Sequence, residues 1–60
     1  MNSVKTRRCE LNMTQTQLAR AANISQAAIS KIESGTSDPS LALAKILAHI
    51  LNCTVDELFP

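Results

Sequence analysis

Apolar residues occur along this chain in short bursts at helical spacing, and each burst is bounded by residues that cap or stop helices. Val4, Arg8 and Leu11 follow one helical face, and Asn12 is a residue type that tolerates the left-handed conformation in which helices end. The first helix is therefore expected from about Ser3 to Leu11. Thr14-Gln15-Thr16-Gln17 has the form of a capping box and predicts a second helix ending near Ala22. Asn23 supplies another left-handed stop, Ile24 an apolar corner residue, and Ser25 a cap for a third helix from Gln26 to about Ser34, closed by Gly35. A fourth helix starts around Pro39, with Asp38 or Ser40 as its cap, and runs to Leu51. Thr54-Val55-Asp56-Glu57 is a further capping box for a short last helix. Five short helices and no alternating pattern predict an all-α fold.

Composition agrees with helix over strand, because the 45% of apolar residues are mostly Leu, Ile and Ala, with Phe59 the one aromatic and Gly35 the one glycine. Sixty residues make a single domain, residues 1–60, with little room for a catalytic cleft. Lys45 and His49 interrupt the longest apolar run well short of a membrane span, and the N-terminus lacks a signal-peptide pattern. A cytoplasmic protein is expected, of bacterial or phage origin, with no membrane partner and reduced thiols at Cys9 and Cys53.

Net charge is only +1, but the charges are segregated. Residues 1–31 carry Lys5, Arg7, Arg8, Arg20 and Lys31 against Glu10, whereas residues 32–60 carry Glu33, Asp38, Asp56 and Glu57 against Lys45. An ordinary solvated surface accounts for this asymmetry as well as a nucleic-acid partner does. What separates the two is the motif between residues 15 and 34. Two short helices joined by a tight corner, Ala-rich on the first and Ile-rich on the second, are what a helix-turn-helix requires. Ala19 must be small at the crossing, and Leu18, Ile24, Ile29 and Ile32 form the wedge that holds the second helix outward.

On these residues the chain resembles the Cro/CI-type (XRE-like) helix-turn-helix regulators and is similar to the DNA-binding domains of lambdoid phage repressors. The resemblance spans residues 4–58 without gaps. It is carried by Arg8, Met13-Thr14-Gln15, Leu18-Ala19, Ser25 to Glu33, Gly35, Pro39-Ser40-Leu41, Leu51 and Thr54-Val55-Asp56-Glu57-Leu58. It implies a lambda-repressor-like fold and a transcriptional regulator, more specifically a repressor, whose partner is a double-stranded DNA operator. It further implies that Gln15 grips a phosphate and braces Gln26 against an adenine, and that Arg8 and Glu33 form an ion pair tying the first helix to the third.

The chemistry of the residues supports the same reading. A primary amide matches the acceptor and donor of adenine in the major groove, which makes Gln26 the leading base reader. Ala27, Ser30 and Lys31 share its face, with Ala27 suited to a thymine methyl and Lys31 to a guanine or a phosphate. Thr14, Thr16, Ser34, Thr36 and Ser37 can hold phosphates through hydroxyls and backbone N–H groups, or can simply cap helices. The family loop often carries Lys or Arg where this chain reads Gly35-Thr36-Ser37-Asp38, so backbone affinity leans on those of Arg7, Arg8, Arg20 and Lys31 that point toward DNA.

Cys9, His49 and Cys53 are the soft-ligand residues. They lack zinc-site spacing, and both cysteines fall where the family has apolar core residues, so buried packing is expected and no metal or other cofactor. No catalytic grouping or small-molecule site is recognisable, and an enzyme is not expected. The rival class is an antitoxin or adaptor module that binds protein through the same fold. Helix 4 keeps it open, because Leu43, Ile46 and Ile50 form an apolar stripe beside Leu47 and Leu51. That stripe either thickens the core or is covered by a second copy in a homodimer that reads a palindrome.

Overall fold

The computed structural model describes residues 2–60, in which five helices follow one another: α1 (Val4–Glu10), α2 (Gln15–Ala22), α3 (Gln26–Glu33), α4 (Leu41–Ile50) and α5 (Val55–Leu58). The fold is all-α. Side-chain caps start four of the helices. The Thr14 hydroxyl accepts the Gln17 N–H at 3.0 Å while the Gln17 amide oxygen accepts the Thr14 N–H at 2.8 Å, and Thr54 and Glu57 repeat this reciprocal pair ahead of α5. Ser25 and Ser40 accept the N–H groups of Ala28 and Leu43. Of the two residues that could cap the fourth helix, Ser40 does so. The helix consequently begins at Leu41, later than Pro39, and it ends at Ile50 rather than Leu51. Before α1, Asn2 rather than Ser3 accepts the Val4 N–H, and its Nδ2 donates to the Ile32 carbonyl at 2.8 Å, pinning the start of α1 to the end of α3.

One device stops four helices. Asn12, Asn23 and Asn52 have φ of 57°, 59° and 56°, and Gly35 has φ of 80°. At each, the N–H of the left-handed residue bonds the carbonyl three residues back, and the next N–H bonds the carbonyl five back. This closes two of the carbonyls that a helix end leaves unsatisfied. The residue after each asparagine (Met13, Ile24, Cys53) then packs on the core, so these three stops also turn the chain inward. Asn52 was not anticipated as a stop, although Asn52-Cys53 repeats the Asn-then-apolar pattern of the other two.

Leu18, Ile29, Leu47, Leu51, Leu58 and Val4 form the fully buried centre, joined by Ile32. Ala19, 3% exposed, and Ala22 keep α2 narrow among its neighbours α3 and α4. Two expectations need correction. Cys9 is exposed, not core, because the inward positions of α1 are Val4 and Arg8 and the next residue is rotated by about 100°; Cys53 packs against the core but is only half-buried. The Leu43, Ile46 and Ile50 stripe is split. Leu43 and Ile50 sit with Leu47 on the inward face and pack against the core, leaving Ile46 at 45% exposed, with Leu41 at 66% as a further apolar residue in solvent. No helix among the described residues is long and apolar enough to cross a membrane.

The left-handed stops make a specific demand on side-chain chemistry. Replacing Asn23 with β-branched valine should cost about 1–2 kcal/mol, the penalty of that backbone conformation, whereas Asn23→Gly should be nearly neutral. Urea unfolding followed by circular dichroism distinguishes the two; equal stabilities would show that the stop does not depend on residue type.

Candidate nucleic-acid interface

The interface is built outward from Arg8, which the helical period of α1 turns into the protein one turn after Val4. Its Nε donates to Glu33 Oε2 at 2.7 Å, its Nη2 to Glu33 Oε1 at 3.3 Å, and its Nη1 to the Met13 carbonyl at 2.7 Å. The two side chains are 10% and 5% exposed. With all three guanidinium nitrogens engaged, Arg8 joins α1, the turn before α2 and the last residue of α3, and has little surface left to offer a phosphate. The hydrogen bond with Glu33 raises the Arg8 pKa against the opposing effect of burial. Burial by itself would push the Glu33 carboxyl up. Hydrogen bonds from Arg8 and Gln15, with the charges of Arg8 and Lys5, outweigh it and hold the carboxyl below its ordinary value.

Two further side chains extend this pair to the surface. Gln15, the first residue of α2, donates its Nε2 to Glu33 Oε1 at 2.9 Å, and Gln26, the first residue of α3, donates its Nε2 to Gln15 Oε1 at 3.0 Å. The capping residues Thr14 and Ser25 fix where both helices begin and thereby bring the two glutamines together. Gln26 is exposed, as are Ala27, Ser30 and Lys31 along the same helix. Thr14 and Thr16 are exposed at the start of α2.

In the loop after α3, of the two roles open to Thr36 and Ser37, their backbone N–H groups take the capping one. Both are directed to the Lys31 carbonyl, at 3.0 and 3.2 Å, because the stop at Gly35 folds the chain back on the helix end. Ser34 donates to the same carbonyl and shares a hydrogen bond with Thr36. What this loop presents outward is the exposed side chains of Ser34, Thr36 and Ser37, beside Asp38.

Arg7 is also redirected. Its Nε and Nη2 donate to the carbonyls of Leu51 and Asn52, at 2.9 and 3.1 Å, and its Nη1 meets Glu10 at 3.2 Å, so it braces the turn after α4. Sequence reasoning missed this role because backbone carbonyls carry no residue-type signature. Lys5, Arg20 and Lys31 are exposed cations in the basic half of the chain. Among the described residues, no group of His, Cys, Asp and Glu could hold a metal, and no buried side-chain polar atom lacks a partner.

The depressed carboxyl of Glu33 links stability to pH. A group whose folded pKa lies below its unfolded value of about 4.3 stabilises the fold above that pH, and the contribution disappears as pH falls through the folded value. The thermal midpoint of the wild type should therefore drop as pH falls below about 4.3, and Glu33→Gln should flatten this part of the profile. Arg8→Ala should cost about 3–5 kcal/mol at neutral pH, because it leaves the carboxylate buried and unpaired. Unchanged melting of Arg8→Ala would rule out the ion pair as a structural anchor.

A helix-turn-helix family model matches residues 4–58 of this chain. An HTH-type transcriptional regulator of Archaeoglobus fulgidus is 34% identical over 56 residues, covering 93% of this chain and 79% of the relative. Another, from Methanocaldococcus jannaschii, is 36% identical over 58 residues, with 97% and 88% covered. The HTH-type transcriptional activator BcrR of Enterococcus faecalis is 43% identical over 47 residues, which is 78% of this chain and 23% of that longer protein. With α2 and α3 forming the motif and nearly the whole chain matched, the protein belongs to the helix-turn-helix family of transcriptional regulators.

Proposed function

We propose that this domain regulates transcription by docking α3 in the major groove of an operator, and that occupancy of the operator represses. The observation that carries the proposal is Gln26, an exposed amide at the start of α3 that is already held by Gln15. One Nε2 hydrogen is used by Gln15. The other, with Oε1, offers one donor and one acceptor to the N7 and N6–H2 of an adenine. A side chain fixed before binding loses less rotamer freedom on contact, which favours the correct base without strengthening non-specific affinity.

Around this contact, Ala27 suits a thymine methyl, while Ser30 and Lys31 reach base edges or phosphates further along α3. Helix geometry leaves the N–H groups of Gln15 and Thr16 without intrahelical acceptors, and the positive end of α2 is suited to a phosphate held by Thr14, Gln15 and Thr16. The hydroxyls of Ser34, Thr36 and Ser37, with Arg20 and Lys31, complete a modest electrostatic footprint. A reader this small gains from binding as a two-fold pair on two half-sites. Of the α4 residues suited to such a contact, Ile46 is the exposed one, and Leu43 and Ile50 are partly buried against the core.

Selection from a random DNA pool should return a palindrome whose half-site centres lie about 10 bp apart or a multiple of that. Gln26→Ala should weaken operator binding by about 1–3 kcal/mol and relax preference at one adenine while non-specific binding stays nearly unchanged. Ile46→Lys should give a folded monomer, by sedimentation, that binds a single half-site weakly. A pool with no enriched sequence would overturn the operator-reading function and favour a protein-binding adaptor.

A further inference from the structure

We infer that Glu33 is a positioning residue for base recognition: through Gln15 it dictates which end of the Gln26 amide faces the protein, and hence which donor and acceptor order Gln26 presents to DNA. The inference rests on the reading of Gln26 as the base contact.

The two ends of a glutamine amide have nearly the same shape, so packing alone does not choose between them. Hydrogen-bond partners do. Glu33 is ionised and gripped at both oxygens by Arg8, and a carboxylate only accepts. Gln15 must therefore turn Nε2 toward it, the 2.9 Å contact, which leaves Gln15 Oε1 for Gln26. Gln26 must in turn offer Nε2, the 3.0 Å contact. Flipping Gln15 would set its oxygen against the carboxylate; flipping Gln26 alone would set two amide oxygens face to face. Each wrong state opposes two acceptors and forfeits a bond, in the case of Gln15 at a half-buried side chain. The fixed polarity of the Arg8–Glu33 pair is thus transmitted across two helices to the surface, and the outward donor and acceptor of Gln26 match adenine in one order only.

Neutralising the carboxylate reverses the order. In Glu33→Gln, the new amide oxygen accepts from Arg8 and its nitrogen donates toward Gln15, so Gln15 directs Nε2 at Gln26, and Gln26 presents an N–H where its oxygen had met adenine N6–H2. The base that suffers is adenine. The bases that gain carry an acceptor at that edge, guanine O6 or thymine O4, whereas cytosine, a donor there, gains nothing.

The experiment measures affinities of the full chain for four operators that differ only at the position relaxed by Gln26→Ala, alongside a non-specific duplex. For Glu33→Gln, discrimination in favour of adenine should fall by about fivefold or more, toward guanine or thymine, with non-specific affinity unchanged. Should the single variant fail to fold by circular dichroism, Glu33→Gln combined with Arg8→Met removes the uncompensated buried cation and leaves the new amide free to face Gln15 with either end, so adenine discrimination should fall by a smaller factor, with no net preference for guanine or thymine. Wild-type discrimination in a folded Glu33 variant, or a uniform loss across all four bases, would overturn the inference and leave Glu33 a structural residue. If Gln26→Ala itself relaxes no position, the base-reading role of Gln26 fails, and the inference falls with it.

Discussion

A guanidinium and a carboxylate withdrawn from water together set the geometry on which the rest of this domain depends. Arg8 reaches from α1 to the last residue of α3 and to the carbonyl of Met13 ahead of α2, so one side chain determines how three elements meet. Burying two charges gives little net stability by itself, since desolvation offsets most of their attraction. Its effect is directional instead. A bidentate contact tolerates little rotation, and a carboxylate held in that way becomes a fixed acceptor for Gln15.

The sequence of stops along the chain makes this convergence possible. Each helix is short, and an isolated helix of seven to ten residues has no stability of its own in water. Left-handed residues at 12, 23, 35 and 52 end the helices at defined points, and the apolar residue after each asparagine closes onto the common core. Stability therefore comes from packing around Leu18, Ile29, Leu47 and Leu51, while the capping hydroxyls decide where each helix begins. Ser25 and Thr14 place the first residues of α3 and α2, and those first residues are the hydrogen-bonded glutamines Gln26 and Gln15.

Charge is distributed with a corresponding division of labour. Arg7 and Arg8, adjacent in sequence, are both engaged within the protein but on faces of α1 about 100° apart, one at the α4 turn and the other at α3. Lys5, Arg20 and Lys31 are the exposed cations of the basic half of the chain. On the proposed function, so few free cations limit sequence-independent affinity and leave discrimination to base contacts.

Local chemistry alone determined the helix count, the capping boxes at Thr14 and Thr54, the serine cap at Ser25, and the stops at Asn12, Asn23 and Gly35, because each involves residues only a few positions apart. The expected pairings of Gln15 with Gln26 and of Arg8 with Glu33 rested on family resemblance, since nothing local connects residues 11 or 25 positions apart. Tertiary structure decided what periodicity left open: Cys9 rotated into solvent beside an inward Arg8, Leu43 and Ile50 drawn onto the core while Ile46 stayed out, and Arg7 closed onto carbonyls of a distant turn. It also joined the two pairs into one relay, through the bond from Gln15 to Glu33. That bond exists only because the core sets three helices at the right separation, a sum of many weak contacts that no short stretch of residues encodes.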